Sequence, residues 1–242
     1  MNRWCGWLLC SVLLCAGAFT HAAEPERVRI ASEVWAGHTN ADGSGLAWDI
    51  FRKVYEPAGV QLAIQSVPYT RSIGLVQRGE ADAWAGSYHN EIKQSVFYPR
   101  WHYDADQIAA LGLLTQPEPH LDSLDQYRLI WVRGYEYQRY LPKVREYREV
   151  IRRSGILGML DQRHADFYID ALTEVSDVLS AARDPALYRV TPLTKLPVYL
   201  GFADNPRGRT LAELFDKRMA VLVKDGSLRP IFRRWQQPYP FD

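Results

Sequence analysis

Apolar and polar positions change period repeatedly along this chain, and each change marks an element. Val28-Arg29-Ile30-Ala31 reads as a first strand. After the Gly43-Ser44-Gly45 turn, Leu46, Ile50, Phe51, Val54 and Tyr55 recur at helical spacing, and Pro57-Ala58-Gly59 stops that helix. Val60 to Val67 alternates as a half-buried strand should, Ser72 to Arg78 predicts a helix closed by Gly79, and Ala81 to Ala85 predicts a short strand. The breaker-rich stretch Gln116 to His120 precedes a second round of the same rhythm. Leu129 to Val132 reads as a strand, and Arg133-Gly134 opens onto a helix near Tyr137 to Leu141. Val150-Ile151 and Ile156 to Leu160 read as helical, Ala165 to Ile169 as a strand, and Leu172 to Ala182 as a helix ended by Asp184-Pro185. Leu196 to Phe202 is a long apolar strand, and helices over Thr210 to Val223 and Leu228 to Trp235 close the chain. Strands alternating with helices predict an α/β fold of two similar halves, each a mostly parallel sheet flanked by helices. Such sheets bind ligands beyond the carboxyl ends of their strands, so two facing lobes create one interlobe cleft that a hinge can close.

The N-terminus changes the setting. Arg3 precedes an uncharged run from Trp4 to Phe19, then the small residues Thr20 and Ala22 and the polar Glu24-Pro25-Glu26-Arg27. This is the pattern of a secretory signal peptide over 1–22, cleaved near Ala22, and its apolar core is shorter than the ~20 residues a membrane span needs. All three cysteines (Cys5, Cys10 and Cys15) fall inside it. The mature chain then has no thiol for catalysis, disulfides or iron–sulfur ligation, and must be held by its core. Among 242 residues, 47% are apolar and 24% charged, which excludes a disordered chain. Without Arg3, the 29 basic residues become 28 against 28 acidic ones, too balanced for a nucleic-acid binder. Export of a neutral, disulfide-free chain points to the periplasm.

Three stretches carry a resemblance. Gly45-Leu46-Ala47-Trp48-Asp49-Ile50 is similar to a Gly-x-x-x-Asp-Leu helix start, and Leu75 to Ala83, through Gly79 and Asp82, to a Leu-x-x-Gly-x-x-Asp-Ala helix-to-strand turn. Gly155 to Asp166 resembles the equivalent turn in a second lobe. In their order and spacing behind a signal peptide, they resemble the periplasmic solute-binding proteins of ABC transporters, in the family that includes polar amino-acid binders. The resemblance implies a two-lobed type II periplasmic binding protein fold. Lobe one would hold 23–108 and 197–242, lobe two 109–196, joined by two crossing strands near Gln107 to Leu114 and Leu196 to Phe202. One departure matters. Where the family places an Arg that forks onto the ligand's α-carboxylate, Gly86-Ser87-Tyr88-His89-Asn90-Glu91-Ile92-Lys93 offers Ile92 or Lys93, and Lys binds only as a point charge.

The candidate site follows from these placements. Arg71, beginning a helix after a strand, is the replacement anion clamp, with a surface ion pair as its plain alternative. Arg133-Gly134-Tyr135-Glu136-Tyr137 occupies the matching turn of lobe two, where free amides could receive an oxyanion and Tyr135 or Tyr137 could lie on the ligand. The resemblance implies that Asp170 accepts a ligand ammonium; its alternative is the N-cap of the helix from Leu172. Glu33, Trp35, Tyr69, Ser87 and Tyr88 complete the expected lining, the aromatic ones offering flat faces to a polar or cationic ligand.

No Gly-x-Ser-x-Gly elbow, phosphate loop or His-Glu-x-x-His motif appears, and the mature histidines lack metal-ligand spacing. No enzyme activity, cofactor or metal is expected. The expectation is a monomeric periplasmic protein that captures a small polar ligand (an amino acid, or a related amine or organic acid) for an ABC permease or other inner-membrane protein. A ligand sensor acting on a membrane receptor, or a dehydratase using Glu33 or Asp170, are the alternatives.

Overall fold

The computed structural model describes residues 27–242; the expected signal peptide and its cleavage point lie outside them. The first strand, β1 (Arg27–Ser32), leads through a loop to α1 (Leu46–Tyr55), whose Leu46, Ile50, Phe51, Val54 and Tyr55 are all buried. Gly45 begins this helix at φ +134°, where an added Cβ would stand 2.2 Å from the His38 carbonyl oxygen, so only glycine fits. Then come β2 (Gln61–Ser66), α2 (Tyr69–Gln77), β3 (Ala83–Tyr88), the short β4 (Val96–Phe97) and β5 (Asp104–Leu113). The second round holds β6 (Arg128–Val132), β7 (Glu146–Val150), α3 (Ile156–Asp161), β8 (Phe167–Ala171) and α4 (Leu172–Ser180). The chain ends with β9 (Tyr188–Ala203), α5 (Pro206–Lys224) and α6 (Arg229–Arg234).

The strands form one mixed sheet in the order β2-β1-β3-β9-β5-β8-β6-β7, with β4 also on β9. Pairing is parallel in the outer parts (β2-β1-β3 and β8-β6-β7) and antiparallel where β5 and β9 cross from one lobe to the other. The β5/β9 ladder runs from Asp104↔Val198 to Leu113↔Tyr188. One end of β9 continues onto β3, and β5 continues onto β8, so this ladder is the bridge between the lobes. Against lobe one, α1 packs with α5 and α6 on one face and α2 on the other; α3 and α4 cover β5 and β8 in lobe two.

The two resemblance-bearing Gly-x-x-Asp and Ala-Asp turns have the same physical task. Asp82 accepts the Arg29 amide (2.9 Å) and its guanidinium (2.8 Å), while Asp166 accepts the Arg128 amide and guanidinium (both 2.8 Å). Each carboxylate thus satisfies the first strand of its lobe and pairs its side chain. Two expected helices are absent. Around Tyr137 there is only a 3-10 turn, Tyr137–Arg139, entered through Glu136 at φ +48° and followed by Leu141-Pro142, which cannot extend it. Val150 belongs to β7, an exposed edge strand whose face is mostly polar, so its alternation carried no apolar signal. Pairing with β6 and the stacking of Tyr147 on Trp131 (centroids 4.4 Å apart) decide its conformation.

Candidate functional site

The lobe-one wall is set where β1 ends. Helix α2 starts at Pro68, which has no side chain able to cap it, and Glu33 does so from a distance, its Oε2 accepting the Tyr69 amide at 3.0 Å. The Trp35 indole lies over Gly86, where a Cβ would come within 2.3 Å of the ring, and packs against Tyr69 at 5.9 Å. The Tyr69 hydroxyl donates to Glu91 Oε2 at 2.6 Å, and the Ser87 hydroxyl (2.9 Å) and Tyr88 amide (3.2 Å) donate to the same oxygen.

The lobe-two wall is built around a buried carboxylate. At the end of β8, Asp170 is 1% exposed and receives two hydrogen bonds from Arg153, at 3.1 and 3.2 Å, through Oδ2. Tyr168 also donates to that oxygen, and Tyr137 donates to Oδ1 at 3.1 Å. Arg153 further reaches Glu174 at 3.1 Å and donates to the Tyr135 hydroxyl at 2.9 Å.

The lobes meet across these walls. Trp35 Nε1 donates to the Tyr135 hydroxyl (3.2 Å), Tyr69 and Tyr135 pack edge to face (5.7 Å), and Arg139 donates to the Glu91 carbonyl (2.8 Å). From the crossing strand β5, Asp104 and Asp106 project two residues apart, hence to the same side. The Tyr88 hydroxyl donates to Asp106 at 2.9 Å, and His38 Nε2 stands 3.6 Å from Asp104. Together these groups surround a cavity of about 60 Å³ between the lobes. By the ~10–15 Å³ that one water requires, it has room for several waters or a small organic molecule.

Its electrostatics are those of buried acids with few cations. Burial pushes the Glu91 carboxyl up to about 7, against the opposing hydrogen bonds from Tyr69 and Ser87. Burial likewise takes Asp106 to about 6 against the Tyr88 bond, and Glu174 to about 7 against the attraction of Arg153. Asp104 is driven well above the carboxylate range, by burial first and then by the charge of Asp106. Burial lowers His38, which favours its neutral imidazole. Among the described residues no group of three or more histidines and carboxylates is arranged to hold a metal ion.

Of the expected residues, Trp35, Tyr69, Tyr88, Tyr135, Tyr137 and Asp170 line the cavity. Glu33 and Ser87 stand behind the wall as the α2 cap and a Glu91 partner. Arg71 and Arg133 are exposed and do not line it. Arg71 is on a solvent-facing position of α2, whose inner positions are Ser72, Ile73, Leu75 and Val76, so the expected anion clamp is not at the cavity. Nor is the turn at Gly134 an open oxyanion cradle: the Gly134 amide donates to Glu149 (3.1 Å) and the Tyr135 amide to Val132 O (3.2 Å). Asp170 is not the side-chain N-cap of α4, which begins at Ala171 without one, although it accepts the Ala171 amide.

Sequence reading missed Glu91, Asp104, Asp106, His38, Arg153 and Glu174. Asp104-Ala105-Asp106 carried a usable signal, two acids on one face of a strand that becomes fully apolar from Ile108. Arg153 carried none, since it comes from a basic stretch with no distinguishing pattern.

No family model and no curated protein matches the sequence. Solved structures do resemble the fold. The substrate-binding protein of an amino acid ABC transporter superposes with a TM-score of 0.66 at 16% identity, covering 86% of this chain and 98% of its own. A histidine kinase sensor domain similar to periplasmic binding proteins gives 0.67 at 14% identity, over 87% and 96%. An amino acid ABC transporter substrate-binding protein from Streptococcus pneumoniae, bound to L-arginine, gives 0.64 at 13% identity, over 86% and 94%. The chain therefore has the two-lobed type II periplasmic binding protein fold.

Proposed function

We propose that this protein is an exported, periplasmic solute-binding protein that closes its two lobes around a small organic molecule and presents it to an ABC permease in the inner membrane. The observation that carries the reading is the cavity itself, lined by aromatic and acidic side chains from both lobes and from a crossing strand. Likeness to transporter-associated substrate-binding proteins supports the transport role. The reading includes the lobe boundaries at 108/109 and 196/197, cleavage near Ala22, a monomeric state and capture without chemical change. Trp35, Tyr69, Tyr88, Tyr135, Tyr137 and Asp170 contact the solute; Glu33 and Ser87 hold the wall in place.

A thermal-shift screen of the chain from Ala23 against amino acids, amines, organic acids and sugars tests it. A ligand at 100 times its dissociation constant adds about 2.7 kcal/mol to stability. The expected outcome is a hit that is recovered unaltered from the protein and whose binding is weakened at least ~10-fold by Trp35→Ala, a loss within the range for removing an aromatic anchor. No hit in any class, or steady conversion of the hit to a product, overturns the reading.

A further inference from the structure

If the cavity is a capture site, as the preceding reading holds, its lining also defines the chemical class captured. Five carboxyl groups face it: Glu91, Asp104, Asp106, Asp170 and Glu174. Against them stand Arg153, already divided between Asp170 and Glu174, and His38, whose imidazole burial drives toward neutrality. Arg71 and Arg133 are exposed elsewhere.

Several of these carboxyl oxygens are unused. Asp104 is 5% exposed; its Oδ1 accepts the Ala105 amide at 2.8 Å, while Oδ2 accepts no hydrogen bond from the described residues and has His38 at 3.6 Å. Glu91 is 4% exposed and receives all three of its side-chain hydrogen bonds on Oε2, leaving Oε1 free. Both oxygens keep accessible surface within these otherwise buried side chains, so they are open to a donor from the ligand. Independently, the rings of Trp35, Tyr69, Tyr88, Tyr135 and Tyr137 line the same space, and their faces attract a desolvated cation.

A ligand carboxylate would be poorly received. The first turn of α4 reaches the lining through Ala171, Thr173 and Glu174, but the Ala171 amide already donates to Asp170, and Asp170 and Glu174 place carboxyl groups there. The Tyr135 hydroxyl accepts from both Trp35 and Arg153 and retains a single neutral O–H. No guanidinium fork is free to pair the anion's charge among the lining residues.

We propose that the cavity selects a small organic amine in its cationic form that carries no carboxylate, its ammonium held by Asp104 and Asp106 and its alkyl chain lying across the Trp35 and tyrosine rings. Calorimetric titration of the ligand-free chain with matched pairs tests this: putrescine against ornithine, cadaverine against lysine, and agmatine against arginine. Members of a pair share the cationic chain and differ in the carboxylate. The expected result is that at least one amine binds ~100-fold or more tightly than its parent amino acid, the scale that like-charge juxtaposition imposes. Asp106→Asn should weaken that amine at least ~10-fold while far-ultraviolet circular dichroism is unchanged. Equal or tighter binding of the amino acids overturns the inference, as does an Asp106→Asn variant that binds the amine like the parent. Should Asp106→Asn fail to fold, the matched pairs on the parent protein decide alone. Retention of an organic acid or sugar with no amine binding overturns this inference and leaves solute capture standing; no binding in any class overturns both.

Discussion

Asp82 and Asp166 sit at equivalent turns of the two lobes, and each meets an arginine of the adjoining strand; Glu91, Asp104 and Asp106, facing the cavity, meet hydroxyls, amides and one imidazole. Burial raises the proton affinity of every one of them. At the turns the hydrogen bonds from Arg29 and Arg207 to Asp82, and from Arg128 to Asp166, outweigh that burial and leave both carboxyls below their usual range. In the cavity burial prevails, and Glu91 and Asp106 rise to about 7 and about 6. The same residue types are thus made permanent anions where they hold the fold, and proton-hungry acids where a ligand would complete them. What separates the two sets is the presence of a guanidinium in the protein itself.

The comparison breaks most severely where the cavity wall does have an arginine. Arg153→Met should strand Asp170 and Glu174 together and lower stability by about 3–5 kcal/mol, the cost of breaking a buried pair, as read from urea unfolding. A loss below ~1 kcal/mol would show that solvent, and not Arg153, satisfies Asp170. Next, Asp82→Ala should cost roughly 1–3 kcal/mol at pH 7, because it removes the partner of the Arg29 amide and guanidinium.

The smallest effect is also the sharpest in sign. Because Asp82 and Asp166 have depressed folded values, their stabilisation is present at neutral pH and is lost as pH falls through those values, below the ordinary 3.8. For Glu91 the folded value lies above the ordinary 4.5, so its contribution is fully present below about 4.5 and is lost as pH rises through about 7. Glu91→Gln mimics the protonated acid; it should stay within about 1 kcal/mol of the parent at pH 5 and gain on it by pH 8. Urea midpoints at the two pH values read this directly, and a deficit that grows with pH would contradict it.

Much of the scaffold was legible because its causes are local. The apolar stripe Leu46–Tyr55, the alternation before Val67 and the stops at Gly59, Gly79 and Pro185 fix helices and strands through steric and burial preferences that neighbouring residues express alone. The cavity's aromatic side chains were legible for a related reason, since Tyr88 ends a strand and Trp35, Tyr69, Tyr135 and Tyr137 follow strand ends that an α/β sheet turns toward its binding edge. The expected role of Arg71 failed on a rotation of one residue along α2, which places it beside the inward Ser72 but facing solvent.

The amino-acid sequence by itself determined the rhythm of two α/β lobes, the Asp82 and Asp166 turns and the aromatic character of the cleft. Only the tertiary structure decided that Asp104, Asp106, Glu91 and Asp170 line one cavity, that Arg153 is divided between two of its acids, and that β7 is a strand. Proton affinity and charge balance depend on which groups lie within a few ångströms and on how much water remains between them. His38 and Glu174, separated by 136 positions and lining the same cavity, acquire their electrical surroundings only when the chain has folded around them.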